Sequence, residues 1–206
     1  MTSVLDVAWY FVQKGNGDPS ITQLKLQKLV YYAQGFYLGL YGKPLFLESI
    51  EAWEYGPVAP VLRNKHINLG AKPISLNDIS CEKPIGDDEV RTHLERIWLC
   101  FGHYTAGKLV DMTHQESPWK ETYIPFTNVR IGEQLMRHHF INRLGELESA
   151  TGTTTCEPMS DIYLKGGQTV KVPESKAEAF LIANADSLEA KYIQTRGRRR
   201  QVAEPA

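Results

Sequence analysis

Residues 24–46 read LKLQKLVYYAQGFYLGLYGKPLF and residues 51–58 read EAWEYGPV, and these two runs decide the fold. Apolar side chains of the first run recur every three or four residues, at Leu26, Leu29, Val30, Ala33, Tyr37 and Leu40. This spacing predicts a helix with one buried stripe. Thr22 is a suitable N-cap, and Gly42 followed by Pro44 is a suitable end. We expect about six helical turns, roughly 30 Å in length, enough to cross a small domain.

A second face of this predicted helix carries two glycines, Gly35 and Gly39, roughly in line with Lys28 and Tyr32. Each glycine costs about 1 kcal/mol in a helix interior relative to alanine. The simplest compensation is a second backbone that packs closely over both glycines, from this chain or from another molecule. Tyr31 and Tyr32 add aromatic area with a polar tip, which suits a half-buried surface or a core where the phenols find hydrogen-bond partners. The pattern leaves both interpretations open.

The second run predicts a short extended segment beside the long helix, with aromatic side chains at Trp53 and Tyr55. Gly56 and Pro57 should end this segment, since the pair is a strong turn signal. Pro57 is also well placed at the first turn of a following helix at about residues 58–65. Together these features predict a rigid aromatic corner joined to a helix start.

The composition is that of a globular protein, with 42% hydrophobic and 23% charged residues in a chain of 206. This length allows one domain of ordinary size plus an appendage. A formal net charge of −1 gives no overall attraction to nucleic acids or acidic membranes. No apolar run reaches the roughly 18 residues of a membrane-spanning helix, and the N-terminus lacks the pattern of an export signal. We therefore expect a cytoplasmic protein.

The three cysteines, Cys81, Cys100 and Cys156, are widely spaced and form no C-x-x-C pair. They have no histidine at zinc-ligand spacing, so neither a disulfide framework nor a metal site is expected. Cys100 falls in an apolar helix pattern and should be a buried free thiol. The glycines at 15 and 17 follow no strand and indicate a turn and not a phosphate-binding loop. No cofactor is expected.

Several further helices are predicted from helical spacing, at residues 3–14, 88–104, 106–112 and 129–140. Ser117 can cap an additional helical turn that has Pro118 at its first position and Trp119 just inside. The threonine-rich run Gly152–Pro158 indicates a boundary, which divides the chain into a domain at 1–150 and an extension at 151–206.

The extension alternates in polarity between Asp161 and Val172 around Gly166–Gly167, which predicts a hairpin. Residues 174–195 have helical spacing, and the basic cluster Arg196–Arg200 should be solvated. The predicted fold class is therefore mainly α (α+β). It is a compact helical domain around one long central helix, with a small β element and a C-terminal extension of hairpin plus helix.

Four blocks occur in a distinctive order: LKLQKLVYYAQG at 24–35, GKPLF at 42–46, EAWEYGPV at 51–58 and THQESPW at 113–119. Together with the apolar helix at 131–140, they resemble the Panacea domain of SocA-like antitoxins, which also occurs in phage-associated proteins. The resemblance covers about residues 4–140. It implies a mostly helical, non-enzymatic domain that binds and neutralises a cognate protein toxin encoded beside it. The resemblance does not identify the toxin, because this domain occurs with toxins of unrelated chemistry. The oligomeric state also stays open.

Two groups of residues stand out within these blocks. The candidate toxin-binding residues have polar tips, and they are Lys28, Tyr31, Tyr32, Tyr55 and His114. The residues expected to hold the fold are Gly35, Gly39, Trp53, Gly56, Pro57, Pro118 and Trp119. The polar-tipped residues could equally make buried hydrogen bonds. The extension lies outside the shared blocks, and we expect it to contribute to partner choice.

Three alternative functions have some support. The first, also implied by SocA-like proteins, is an adaptor that presents the toxin to a cytoplasmic protease. The second is a DNA-binding autoregulator that uses Arg196–Arg200, although the net charge and the lack of a helix-turn-helix pattern oppose it. The third is a hydrolase, since Asp111 and His114 share a helix face close to Glu116. Such residues at a helix end more commonly serve in capping and hydrogen bonding.

Overall fold

The computed structural model describes residues 2–79, 84–151, 159–167 and 169–188. The helices are α1 (Val4–Gly15), α2 (Gln23–Tyr41), α3 (Pro60–Lys65), α4 (Asp88–Phe101), α5 (Ala106–Gln115), α6 (Ser117–Lys120), α7 (Glu133–Ile141), α8 (Leu144–Thr151) and α9 (Glu174–Ala183). The strands are β1 (Glu51–Trp53), β2 (Gly56–Val58), β3 (Val129–Arg130), β4 (Met159–Tyr163) and β5 (Thr169–Pro173). The predicted class, mainly α with a small β element, is confirmed. Within these ranges no helix combines the length and the apolar character needed to cross a membrane.

Helix α2 lies at the centre of the fold, and both of its predicted ends are confirmed. The Thr22 hydroxyl accepts a hydrogen bond from the backbone N–H of Lys25, and Gly42 ends the helix with a left-handed backbone at φ +66°. The helix spans 19 residues, about five turns and not six. Every side chain from Lys25 to Leu40 is buried, because α1, α4, α5 and α7 pack around it.

The two glycines of α2 are explained by helix α7, which crosses directly over them. A Cβ atom on Gly39 would lie 2.9 Å from the backbone nitrogen of Ile141. A Cβ atom on Gly35 would overlap the ring of Phe140. The expected close approach is confirmed, and the second backbone belongs to this chain. The glycine pair therefore sets the distance between α2 and α7.

A three-stranded antiparallel sheet in the order β2-β1-β3 carries the aromatic corner. Strands β1 and β2 form a hairpin in which Trp53 pairs with Gly56 across the turn. Pro57 therefore lies inside β2, and the prediction that it opens a helix is wrong. Pro60 takes that role in the first turn of α3. Either proline suits a first helical turn, so local sequence does not distinguish them.

The helix predicted at 129–140 begins later than expected, because its first residues form a strand. Val129–Arg130 is β3 and pairs with Glu51–Ala52 of β1. Helix α7 begins at Glu133, with Gly132 as its N-cap. A short run of apolar and polar residues fits a strand as well as a helix, and here the pairing partner decides.

The C-terminal extension packs against the helical domain. Strands β4 and β5 form the predicted hairpin, with left-handed backbones at Gly166 and Gly167. Its buried apolar residues belong to the same hydrophobic core as α2, and they include Ile162, Leu164, Val170, Val172, Phe180 and Leu181. Arg137 of α7 also donates hydrogen bonds to the side chain of Asn184. The two parts of the chain therefore share one core.

Several sequence-based predictions fall on residues that the structure does not describe. The boundary run Gly152–Pro158, residues 189–195 of the predicted last helix and the cluster Arg196–Arg200 lie outside the described ranges. Within the described part, the last helix ends at Ala183, so the prediction that it continues through residues 184–188 is wrong. Cys81 and Cys156 also lie outside them, whereas Cys100 is a buried free thiol as predicted. The division into 1–150 and 151–206 stays a prediction.

Replacement of Gly39 by alanine should destabilise the protein by about 1–3 kcal/mol. The added methyl group would press on the backbone of α7, and overpacking of this kind outweighs the gain of up to about 1 kcal/mol in helix propensity. The measurement is the free energy of urea-induced unfolding. Gly107→Ala in α5 is the matched control, since the described residues leave open space around its Cβ position. Equal effects of the two substitutions would contradict the assigned role of Gly39.

Candidate functional site

A buried carboxylate, that of Glu116, lies between the end of α5 and the start of α6. Its side chain accepts hydrogen bonds from the phenol of Tyr31 at 2.8 Å and the phenol of Tyr32 at 2.9 Å. A third donor is the guanidinium of Arg143, which follows α7. Both phenols are fully buried, and their pKa values are raised by burial and by the neighbouring carboxylate, so they stay protonated donors. We call Glu116, Tyr31, Tyr32 and Arg143 the buried polar cluster.

Arg143 links this cluster to the edge of helix α8. Its guanidinium donates two hydrogen bonds of 2.7 Å to the carboxylate of Glu146. It also lies over the rings of Tyr32 and Phe140, 5.8 Å and 5.6 Å from their centroids. Burial alone would lower the pKa of Arg143, but the bonds to Glu146 and the charge of Glu116 raise it overall. The cation therefore stays charged inside the protein.

For Glu116 and His139, burial shifts the pKa towards the neutral form of the side chain. It raises the pKa of Glu116, a rise that the charge of Arg143 and the two phenol donors oppose without cancelling it. Burial and the charge of Arg143 lower the pKa of His139 to about 4, so this imidazole is neutral. Its Nδ1 atom lies 3.1 Å from the hydroxyl of Ser117, which ties α7 to α6. These contacts make the cluster a structural joint between α2, α6 and α7.

Lys28 supports the β1–β2 hairpin from below. Its side chain is fully buried, and its ammonium nitrogen donates a hydrogen bond of 2.9 Å to the carbonyl of Pro57. Burial lowers the pKa of Lys28 to about 7, against the raising effect of the Glu116 charge. Gly56 sits directly above with φ +93°, and a Cβ there would come within 2.8 Å of Lys28 Nζ and of Thr113 Oγ1. Only glycine fits this conformation and this space.

A ladder of aromatic rings supports the hairpin from the side. Trp119 donates a hydrogen bond of 2.8 Å from its indole nitrogen to the carbonyl of Trp53. The ring of His114 stacks on one face of Trp119 at 4.0 Å, and Tyr123 stacks on Trp119 at 4.6 Å. Pro118, just before Trp119, is buried in α6, whose N-cap is Glu116 and not Ser117 as predicted. These contacts join Trp53 and Trp119 within the protein.

His114 is a partly buried member of this ladder. It makes a hydrogen bond with the backbone of Glu54 at the hairpin turn. The pKa of His114 is lowered, mainly by burial and in second place by the charge of Lys28. Its Nε2 atom is buried and has no hydrogen-bond partner among the described residues. A general base needs a nitrogen within reach of its substrate, and one of the two ring nitrogens of His114 is enclosed by the protein. The described ranges also contain no group of three histidine, cysteine or acidic residues able to hold a metal ion.

The solvent side of the hairpin and the loop before β3 expose apolar and aromatic side chains. Tyr55 is 62% exposed, Ile124 is 55% exposed and Phe126 is fully exposed. Trp53 and Tyr55 line one hollow, and Trp53, Tyr123 and Phe126 line a second one. We call Trp53, Tyr55, Tyr123 and Phe126, with the exposed Ile124 beside them in sequence, the aromatic surface. Exposed apolar patches of this kind mark interaction sites.

Two hollows flank the aromatic surface on either side of Trp53 and Glu54. One, of about 550 Å³, lies against α2 and α3, where the guanidinium of Arg63 covers the indole of Trp53 at 4.9 Å. The other, of about 340 Å³, lies between Trp53, Tyr123 and the segment 125–128. The surface therefore offers both protruding rings and concavities to a partner.

The candidate toxin-binding residues are thus divided by the structure. Lys28, Tyr31 and Tyr32 have no exposed area and make buried hydrogen bonds, so a partner cannot reach them in this conformation. His114 is half-buried in the aromatic ladder, and Tyr55 alone of the five is widely exposed. Tyr55 is therefore the most accessible of the five candidates, and its contact with a partner stays a prediction.

Sequence reasoning missed the two charged residues of the polar cluster and the exposed ring of Phe126. In the sequence Glu116 stands out only as a neighbour of His114, and Arg143 has no local signal. The one available signal was the adjacent pair Tyr31 and Tyr32 in a buried helix, since buried phenols need acceptors. That signal predicts an acceptor without naming it.

Comparison of the sequence with known proteins finds a family model and a curated relative. The model of the family described as "Antitoxin SocA-like, Panacea domain" matches residues 26–120. The curated Antitoxin SocA of Caulobacter vibrioides (strain NA1000 / CB15N) is 33% identical over 126 residues, which cover 56% of this chain and 67% of SocA. No solved structure matches the chain significantly.

The substitution Glu116→Gln should destabilise the fold by about 2–4 kcal/mol. An amide in place of the carboxylate leaves Arg143 with one buried charged partner fewer and brings an N–H group towards other donors. The measurement is urea-induced unfolding at neutral pH. Glu121→Gln, at an exposed position just after α6, is the matched control and should change stability by less than about 0.5 kcal/mol. A wild-type midpoint for Glu116→Gln would disprove the structural role of the cluster.

The stability of the protein should rise between pH 7 and pH 9.5 through Lys28. Its pKa is about 7 in the folded protein and about 10.4 when exposed, so the unfolded state binds more protons in this interval. Lys28 then contributes stability that is complete only above about pH 10.4 and is lost as the pH falls towards 7. The rise should reach about 3 kcal/mol in the wild type relative to Lys28→Met, measured by urea unfolding at both pH values. If the free energy of unfolding changed equally with pH in the wild type and in Lys28→Met, the pKa of Lys28 would not be lowered in the folded protein.

Proposed function

Because this chain belongs to the family of SocA-like antitoxins with a Panacea domain, we propose that it neutralises a cognate protein toxin by binding it directly. The toxin would be the product of a neighbouring gene, and the complex would form in the cytoplasm. The observation that carries the proposal is the aromatic surface, where Tyr55 and Phe126 are exposed beside two hollows. Tyrosine and tryptophan are among the side chains that most often anchor protein interfaces.

The support beneath this surface favours tight binding. The hairpin that carries Tyr55 is held by Lys28 from below and by Trp119 from the side. A preorganised surface loses little conformational entropy on association, so more of the contact energy appears as affinity. An interface of standard size, about 1,600 Å², would then suffice to cover a toxin's active site or block its substrate.

A binding role without catalysis agrees with the placement of the reactive groups. The carboxylate of Glu116 is buried and engaged by three donors, and His114 is packed against Trp119. An active site needs such groups beside a cavity that admits a substrate. The two hollows are lined mainly by aromatic, aliphatic and uncharged polar residues, with Glu54 and Arg63 as the charged residues. We therefore propose a non-enzymatic antitoxin, and the hydrolase and DNA-binding alternatives gain no support from the described residues.

Co-expression with the product of the adjacent gene should test the proposal directly. The neighbouring product alone should stop growth, and co-expression of this chain should restore growth and yield a co-purifying complex. A toxic neighbour that this chain neither rescues nor binds would end the proposal. The half-life of the toxin in cells separates the mechanisms: an unchanged half-life with full rescue indicates direct inhibition, whereas a shortened one indicates delivery to a protease.

The variant His114→Gln serves as the control for catalysis. Glutamine can replace one imidazole hydrogen bond but cannot act as a general base at neutral pH. Full rescue by a folded His114→Gln protein is expected. Loss of rescue together with retained toxin binding would instead favour an enzymatic function.

A further inference from the structure

We infer that Phe126 is the main anchor residue of the toxin interface and that its phenyl ring inserts into an apolar pocket on the toxin surface. The inference rests on the proposed function and assigns a contact residue and a partner chemistry to it. Phe126 lies outside residues 26–120, the part of the chain that the family model matches. The partner side of the contact would be a concave apolar pocket with a basic group at its rim.

The exposure of Phe126 is the first observation behind this inference. Its relative accessibility is 105%, so the ring makes essentially no packing contact within the described protein. Phenylalanine is among the residues most often buried, and a single fully exposed ring inside a larger apolar patch is typical of an interaction site. Neighbouring Ile124 is 55% exposed and extends the apolar area.

The backbone of Phe126 is the second observation, and it is independent of the first. Its φ is +64°, in the left-handed region that side chains other than glycine, asparagine and aspartate rarely adopt. Thr127 holds this turn, since its backbone N–H and its hydroxyl both donate to the carbonyl of Ile124, at 3.1 Å and 2.7 Å. Backbone strain of this kind concentrates at functional sites. Here it points a bulky apolar ring into solvent.

The loop that carries Phe126 is fixed at both ends. On one side, Tyr123 donates its backbone N–H to the carbonyl of Trp119 at 2.8 Å, and its ring stacks on the Trp119 indole. On the other side, Val129 pairs with Ala52 in the sheet. The ring is therefore presented on a short, clamped loop. Because the backbone of this loop is already ordered, binding costs less conformational entropy than it would for a flexible loop.

The surroundings of Phe126 indicate the chemistry of the partner. The hollow of about 340 Å³ beside the ring is lined by Trp53, Tyr123 and the segment 125–128, and its charged lining residue is the exposed Glu54. A protein that accepts the phenyl ring would place the rim of its pocket over this hollow. Charge complementarity then predicts a lysine or arginine of the toxin opposite Glu54.

The test measures the affinity of the full chain for the purified product of the adjacent gene. Phe126→Gly removes the ring and relieves the left-handed backbone. It should raise the dissociation constant by about 30-fold or more and should not lower the melting temperature. Phe126→Leu should recover part of the affinity. Leu99→Ala, at a 47% exposed position on α4, is the matched control and should bind like the wild type. Glu54→Lys should slow association, most strongly at low salt.

Each outcome has a distinct meaning. Weak binding by Phe126→Gly with normal binding by Leu99→Ala supports the anchor. Wild-type affinity for Phe126→Gly would overturn the anchor and leave the antitoxin function standing. A toxic neighbour that even the wild-type chain fails to bind would remove the proposed function itself. Self-association of the wild type that Phe126→Gly abolishes, without loss of toxin affinity, would assign the ring to a second copy of this chain and also overturn the inference.

Discussion

The burial of the Glu116 carboxylate is the constraint on which the arrangement of the helices depends. Removing a charged group from water costs several kcal/mol unless donors surround it closely. Here the donors are Tyr31 and Tyr32 of α2 and Arg143 after α7, segments far apart in sequence. An apolar core tolerates small slips between helices, whereas a shared carboxylate is satisfied in one register only. We interpret the buried polar cluster as the device that selects this register.

The glycine pair of α2 makes the same register sterically possible. With the ring of Phe140 against Gly35 and the backbone of Ile141 against Gly39, α7 approaches α2 more closely than side chains would normally allow. Arg143 follows two residues after Ile141, so this close approach is what brings its guanidinium to Glu116. Close packing and electrostatics therefore point to one geometry. Consistency of this kind between independent interactions is what gives a fold a single native state.

The interior also explains the character of the surface. Glu116, Tyr31, Tyr32 and Lys28 lie inside and are hydrogen-bonded, while Tyr55 and Phe126 are exposed beside two hollows. Lys28 and Trp119 connect the two layers, since each bonds a backbone carbonyl of the hairpin. The proposed binding surface would recognise shape and apolar area, and the hydrogen bonds that hold the hairpin in place lie beneath it. That division suits a protein that acts by binding.

Local rules account for what the sequence by itself determined. The helix ends at Thr22 and Gly42, the hairpin around Gly166–Gly167 and the need for a close neighbour over Gly35 and Gly39 depend on backbone preferences and spacing within a few residues. The family resemblance was equally readable, because its blocks are contiguous runs. These features required no knowledge of how distant segments meet.

Only the tertiary structure decided which side chains are inside and which are outside. The sequence is compatible with Lys28 and Tyr32 at an interface or in the core. Because α4, α5 and α7 pack around α2, both side chains are in the core. The pairing of Val129 with Ala52 turned a predicted helix start into a strand. The exposure of Phe126 follows from the absence of any described neighbour around its ring. Burial is a property of contacts between residues distant in sequence, and local patterns carry no information about the partners.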